Sequence, residues 1–111
     1  MTSVTKANFV DSEKLEQLIT EEKLVLVDYT ATWCGPCKVI APLIDRLATE
    51  YSDRVTIVKV DLDQNQESAK KYGIRSIPAV LVFKDVEIVE NVFGSQPYET
   101  YNDILETQIK A

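Results

Sequence analysis

Apolar residues change their spacing several times along the chain, and each change marks an element. Leu15, Leu18 and Ile19 recur at helical spacing behind Asp11, a capping residue type, so a first helix is predicted from about Ser12 to Glu22. Val10 is placed to staple onto Leu15. Leu24 to Thr30 is apolar on both alternating faces and rich in β-formers, the pattern of a strand covered on both sides. Val39, Ile40, Leu43, Ile44, Leu47 and Tyr51 then trace an apolar stripe over about four turns. That stripe predicts a long helix beginning near Gly35, with Pro42 kinking it. Val55 to Val60 reads as a second buried strand, and Glu67 to Tyr72 as a short helix closed by Gly73. Ala79–Phe83 and Glu87–Val92 read as a hairpin turning at residues 84–86, and Tyr101, Ile104, Leu105 and Ile109 share one face of a last helix after Pro97.

Strand, helix, strand, helix implies parallel pairing of the two strands, and the hairpin adds antiparallel ones. The expected architecture is α/β, a mixed sheet flanked by helices on both faces, in a single domain over residues 1–111. A chain of this length can bury a core without disulfide staples. The composition, 45% hydrophobic and 27% charged with three glycines and four prolines, excludes disordered and fibrous classes. No apolar run approaches the roughly 20 residues of a membrane-spanning helix. The first residues show no basic segment followed by an apolar stretch, so no secretory signal is read and a cytoplasmic location is expected, or a chloroplast stroma after loss of a transit peptide. A net charge of −6 argues against nucleic acid as a partner.

The two cysteines lie three apart and the chain has no histidine. Haem attachment asks for a histidine after the second cysteine, where Lys38 stands, and zinc asks for more ligands or a second chain. Redox chemistry fits the pair better. Trp33-Cys34-Gly35-Pro36-Cys37-Lys38 sits where a buried strand hands over to a long helix. With Cys34 as N-cap, Cys37 falls at the third helical position, within reach of a capping side chain. Cys34 then faces the unpaired N–H groups and positive end of the helix, which favour a thiolate. This makes Cys34 the expected nucleophile, open to solvent, and Cys37 the shielded resolving thiol. Asp28 interrupts an otherwise apolar strand six residues earlier, and burial there would push its proton affinity up toward neutrality.

Taken together, Val27-Asp28-Tyr29, the Trp33–Lys38 motif, Pro42, Lys59-Val60-Asp61, Tyr72 through Pro78, and Phe93-Gly94 resemble the thioredoxin family in order and spacing. The resemblance implies a four- or five-stranded sheet, a cis peptide before Pro78 beside the dithiol, and general reduction of protein disulfides without a bound cofactor. It implies that Asp28 takes a proton from Cys37, with Lys59 as electrostatic modulator, and that Trp33, Gly35, Pro36, Ile77, Pro78, Ala79 and Gly94 form a flat docking surface. The implied partners are disulfide-containing proteins and a thioredoxin reductase, NADPH- or ferredoxin-dependent, with the chain acting as a monomer. Three positions depart from the family pattern. Thr30 stands where an aromatic is usual, Ala79 where Thr is common, and Val86 where a hairpin Gly is expected, so the 84–86 turn is expected to change type. The competing possibilities are a non-catalytic interaction module with the same fold, an oxidising member of the fold and, more remotely, a zinc site shared by two chains.

Overall fold

The computed structural model describes residues 6–111; the N-terminal reading of residues 1–5 lies outside the described residues. The elements follow the order β1 (Asn8–Phe9), α1 (Ser12–Glu21), β2 (Leu24–Thr30), α2 (Gly35–Glu50), β3 (Thr56–Asp61), a 3-10 turn (Leu62–Gln64), α3 (Gln66–Lys71), β4 (Ala79–Lys84), β5 (Glu87–Phe93) and α4 (Tyr98–Lys110). The five strands form one mixed sheet in the order β1-β3-β2-β4-β5. β1 and β2 run parallel to β3, whereas β4 runs antiparallel to both β2 and β5. Asp11 caps α1 as expected, its Oδ1 accepting the Lys14 N–H at 2.8 Å. α2 continues through Pro42, and β1 and the 3-10 turn are additions to the sequence reading.

The alternating faces of β2 explain the two-sided core. Leu24 and Leu26 join Ile57, Val80 and Val82 beneath Ile40, Ile44 and Leu47 of α2 and Tyr101 and Leu105 of α4. Val25, Val27 and Tyr29 point the other way, packing with Val58, Val60, Leu81 and Phe83 against Leu15 and Ile19 of α1 and Ala69 of α3. Tyr29 closes its side of the core with a 2.6 Å hydrogen bond to the Ser68 hydroxyl. Asp28 is the next even position on β2 after Leu26, so its carboxyl enters the α2/α4 layer.

The hairpin turn corrects an expectation. Val86 does not change the turn; Asp85 and Val86 both adopt positive φ, 50° and 78°, as a two-residue type I′ turn demands. Antiparallel pairing of Lys84 with Glu87 fixes the loop at two residues, and that geometry overrides the preference of a β-branched residue. Replacing Val86 by Gly should therefore raise stability by about 1 kcal/mol, the left-handed penalty less the extra freedom Gly gives the unfolded chain. Urea unfolding would check it, and a loss of stability would show that the Val86 side chain contributes more than its backbone costs.

Candidate active site

The dithiol sits at the C-terminal end of β2, where the chain turns into α2. Cys34 is the N-cap, and its sulfur accepts the Cys37 N–H at 3.2 Å. The remaining donors of this helix end are nearly all accounted for. The Cys34 N–H goes to the Ala31 carbonyl at 3.2 Å, Pro36 has none to give, and the Gly35 N–H makes no hydrogen bond among the described residues, which leaves it to favour a negative charge at Cys34. The two sulfurs are joined in a disulfide with a Cα–Cα distance of 5.3 Å, so the structure represents the oxidised state.

Two expectations about exposure fail here. Cys34 is not open to solvent: only 4% of its surface is accessible, against 1% for Cys37. Ala31 and the half-buried Ile77 pack against the pair and cover it. Ala79 is likewise excluded from the docking surface, because β4 is interior to the sheet and Ala79 is paired on one side with Tyr29 and on the other with Phe93. Trp33, Gly35 and Pro36 are exposed, Ile77 and Gly94 partly so, and the Pro78 ring is buried. Trp33 is 65% exposed, its indole N–H donating to Asp63 Oδ2 at 2.7 Å, which holds the ring beside the dithiol.

The Ile77–Pro78 peptide is cis. The Pro78 carbonyl accepts the Gly94 N–H at 2.8 Å, which ties the end of β5 to this corner. Among the described residues, the backbone of Ile77 makes no hydrogen bond, so its N–H and carbonyl are available to an extended segment laid alongside.

On β2, six residues before Cys34, lies a buried polar group. Asp28 is 1% exposed and Oδ1 has no hydrogen-bond partner among the described residues. Burial raises its pKa to about 7; Lys59 opposes the shift and Asp45 adds to it. Lys59 is register-paired with Asp28 across β2 and β3, yet its ammonium binds Asp45 Oδ1 on α2 at 3.1 Å. Lys59 thus acts on Asp28 through space, in the direction expected of a modulator, while its ion pair among the described residues is with Asp45. The Ala7 N–H also donates to Asp45 Oδ1, at 2.9 Å. Asp45 and Asp63 were not singled out from the sequence. For Asp45 a signal existed, an acid at the border of the apolar stripe of α2; Asp63 lay in a polar stretch with nothing to mark it.

The sequence model of the family described as Thioredoxin matches residues 2–107. The chain belongs to the thioredoxin family. It is 48% identical to the thioredoxin of Bacillus subtilis over 90 residues, 81% of this chain and 86% of that one. It is 45% identical to thioredoxin 1 of Synechococcus elongatus over 107 residues, 96% of this chain and 95% of that one. A mutant thioredoxin from Halobacterium salinarum superposes with a TM-score of 0.84 at 31% identity, covering 96% and 94% of the two chains. With the bonded Cys34–Cys37 pair at its centre, the chain is a protein-disulfide oxidoreductase. Thioredoxins work on disulfide-containing proteins and with reductases, and no described helix here is long and apolar enough to cross a membrane.

Proposed function

We propose that this thioredoxin acts as a reductant in which Cys34 attacks and Cys37 resolves. The supporting observation is the cap itself, a Cys34 sulfur that accepts the Cys37 N–H at the positive end of α2. In the reduced protein the Cys34 thiolate attacks one sulfur of a target disulfide, forming a mixed disulfide and releasing the other target sulfur as a thiolate. Cys37 then gives its proton to Asp28 and attacks Cys34 Sγ, and the second target sulfur leaves. The target gains two electrons and, on taking up two protons, becomes a dithiol. Trp33, Gly35, Pro36, Ile77 and Gly94 border the approach, and the free backbone of Ile77 is suited to pair with the target as an added strand.

A thioredoxin reductase, drawing on NADPH or ferredoxin, returns the disulfide to the dithiol. A cytoplasmic setting agrees with the bacterial relatives and with a chemistry that needs a reducing compartment. The test is insulin reduction with each reductase class, together with the potential of the Cys34–Cys37 couple. A value near −270 mV, the general figure for thioredoxins, supports a reductant; one near −180 mV would point to an oxidising or isomerising role.

Thr30 ends β2 half-buried, beside the site. Replacing it by Trp should alter which targets react fastest while leaving the potential within about 30 mV, because no charge or sulfur neighbour changes. A larger shift would mean that position 30 tunes the dithiol itself.

A further inference from the structure

Among the described residues, two buried side-chain polar atoms have no hydrogen-bond partner: Asp28 Oδ1 and the Tyr101 hydroxyl. They belong to the same layer. Asp28 follows Leu24 and Leu26 on one face of β2 and is register-paired with Val80, and Leu24, Leu26, Val80 and Tyr101 form one core cluster. Tyr101 is wholly buried, reaching this layer from α4. A phenylalanine would fill the same space without burying a hydroxyl, so the oxygen needs a reason to be there. The charged and titratable groups facing Asp28 are Lys59 from β3, Asp45 from α2 and Tyr101 from α4. Lys59 and Asp45 are bonded to each other. Of these groups, the Tyr101 hydroxyl is the donor that makes no hydrogen bond among the described residues.

We propose that the Tyr101 hydroxyl donates a hydrogen bond to a buried water that in turn donates to the ionised Asp28 carboxylate, making Tyr101 a positioning residue for the resolving step. Tyr101 keeps its own proton throughout. Burial first raises the proton affinity of the phenol, the Gln96 backbone N–H approaches without closing a hydrogen bond and lowers it, and the Asp28 charge raises it again. The hydroxyl therefore works as a fixed donor. It favours the charged form of Asp28, which is the form that accepts the proton of Cys37.

This role rests on the assignment of Asp28 as proton acceptor, and the test separates the two. Tyr101→Phe keeps the shape of the ring and removes only the donor. Carboxyl-carbon NMR titration of the oxidised protein should place the Asp28 midpoint about one pH unit higher in the variant, a tenfold change in proton affinity. The pH profile of target-disulfide reduction should move the same way in Tyr101→Phe, and should not respond to that change once Asp28 is Asn. An unmoved Asp28 titration would overturn the link between the two groups. A moved titration with an unmoved reduction profile would overturn the positioning role. Loss of the Asp28 assignment would instead show as unchanged turnover in Asp28→Asn alone, whatever the titration does.

Discussion

Changing Cys37 to Ser should convert the protein into a trap that accumulates stable mixed disulfides with its targets. Attack and release are separate steps, and the cap arrangement gives them to different sulfurs. The Cys34 thiolate keeps its place at the positive end of α2 in this variant, so attack proceeds. Nothing then remains to displace the target, because a serine hydroxyl at neutral pH is a negligible nucleophile toward a disulfide. Changing Cys34 to Ser should trap almost nothing, since Cys37 lies deeper and is 1% exposed. Non-reducing electrophoresis of proteins captured on each immobilised variant, then eluted with a thiol, reads the result. Equal trapping by both variants, or stronger trapping by Cys34→Ser, would reverse nucleophile and resolver.

Changing Asp28 to Asn should move stability and turnover in opposite directions. The carboxyl titrates at about 7 in the folded chain, chiefly through burial, against about 4 in an unfolded one. Below about pH 4 it is protonated in both states and costs the fold nothing. As pH rises from there through about 7, the unfolded chain ionises while the folded one resists, and stability falls to a plateau penalty on the order of 4 kcal/mol. Asn abolishes that fall but leaves a buried amide short of partners, so a net gain of about 2 kcal/mol is expected at pH 8. The pH dependence of urea unfolding between pH 4 and 8 should flatten with it. Resolution of mixed disulfides should slow on the order of a hundredfold near neutral pH, the low end for loss of a general base. If stability and turnover fall together, Asp28 is a structural residue.

The residues that carry the chemistry were legible because their signals are local. A cysteine at the cap and another three residues on need only a helix start to be brought together, and an acid inside an apolar strand announces its own burial. What escaped depends on contacts between distant segments. β1 is two residues long and exists through pairing with β3, so it leaves no periodic trace. The partner of Lys59 is decided by how α2 lies over β3, which no spacing along the chain records. The covering of Cys34 likewise comes in part from Ile77, brought in from a distant segment by the corner before β4. Tyr101 was readable as a core position of α4, but its hydroxyl matters only once Asp28 is known to share that layer. At Val86 the failure had another origin: the two-residue loop enforced by the strands outweighed the residue's own preference.

The direction of the strands also separates two properties along the length of the sheet. Ala79 at the start of β4 faces Tyr29 near the dithiol, while Lys84 at its end faces Leu24, so the strained turn at Asp85 and Val86 hangs at the opposite pole. Six residues of strand put roughly 20 Å between the two ends. That pole is therefore the natural handle of the molecule. A tether or inserted peptide at residues 85–86 would present the reactive end outward from a support, with Trp33 and Ile77 unobstructed for a docking protein.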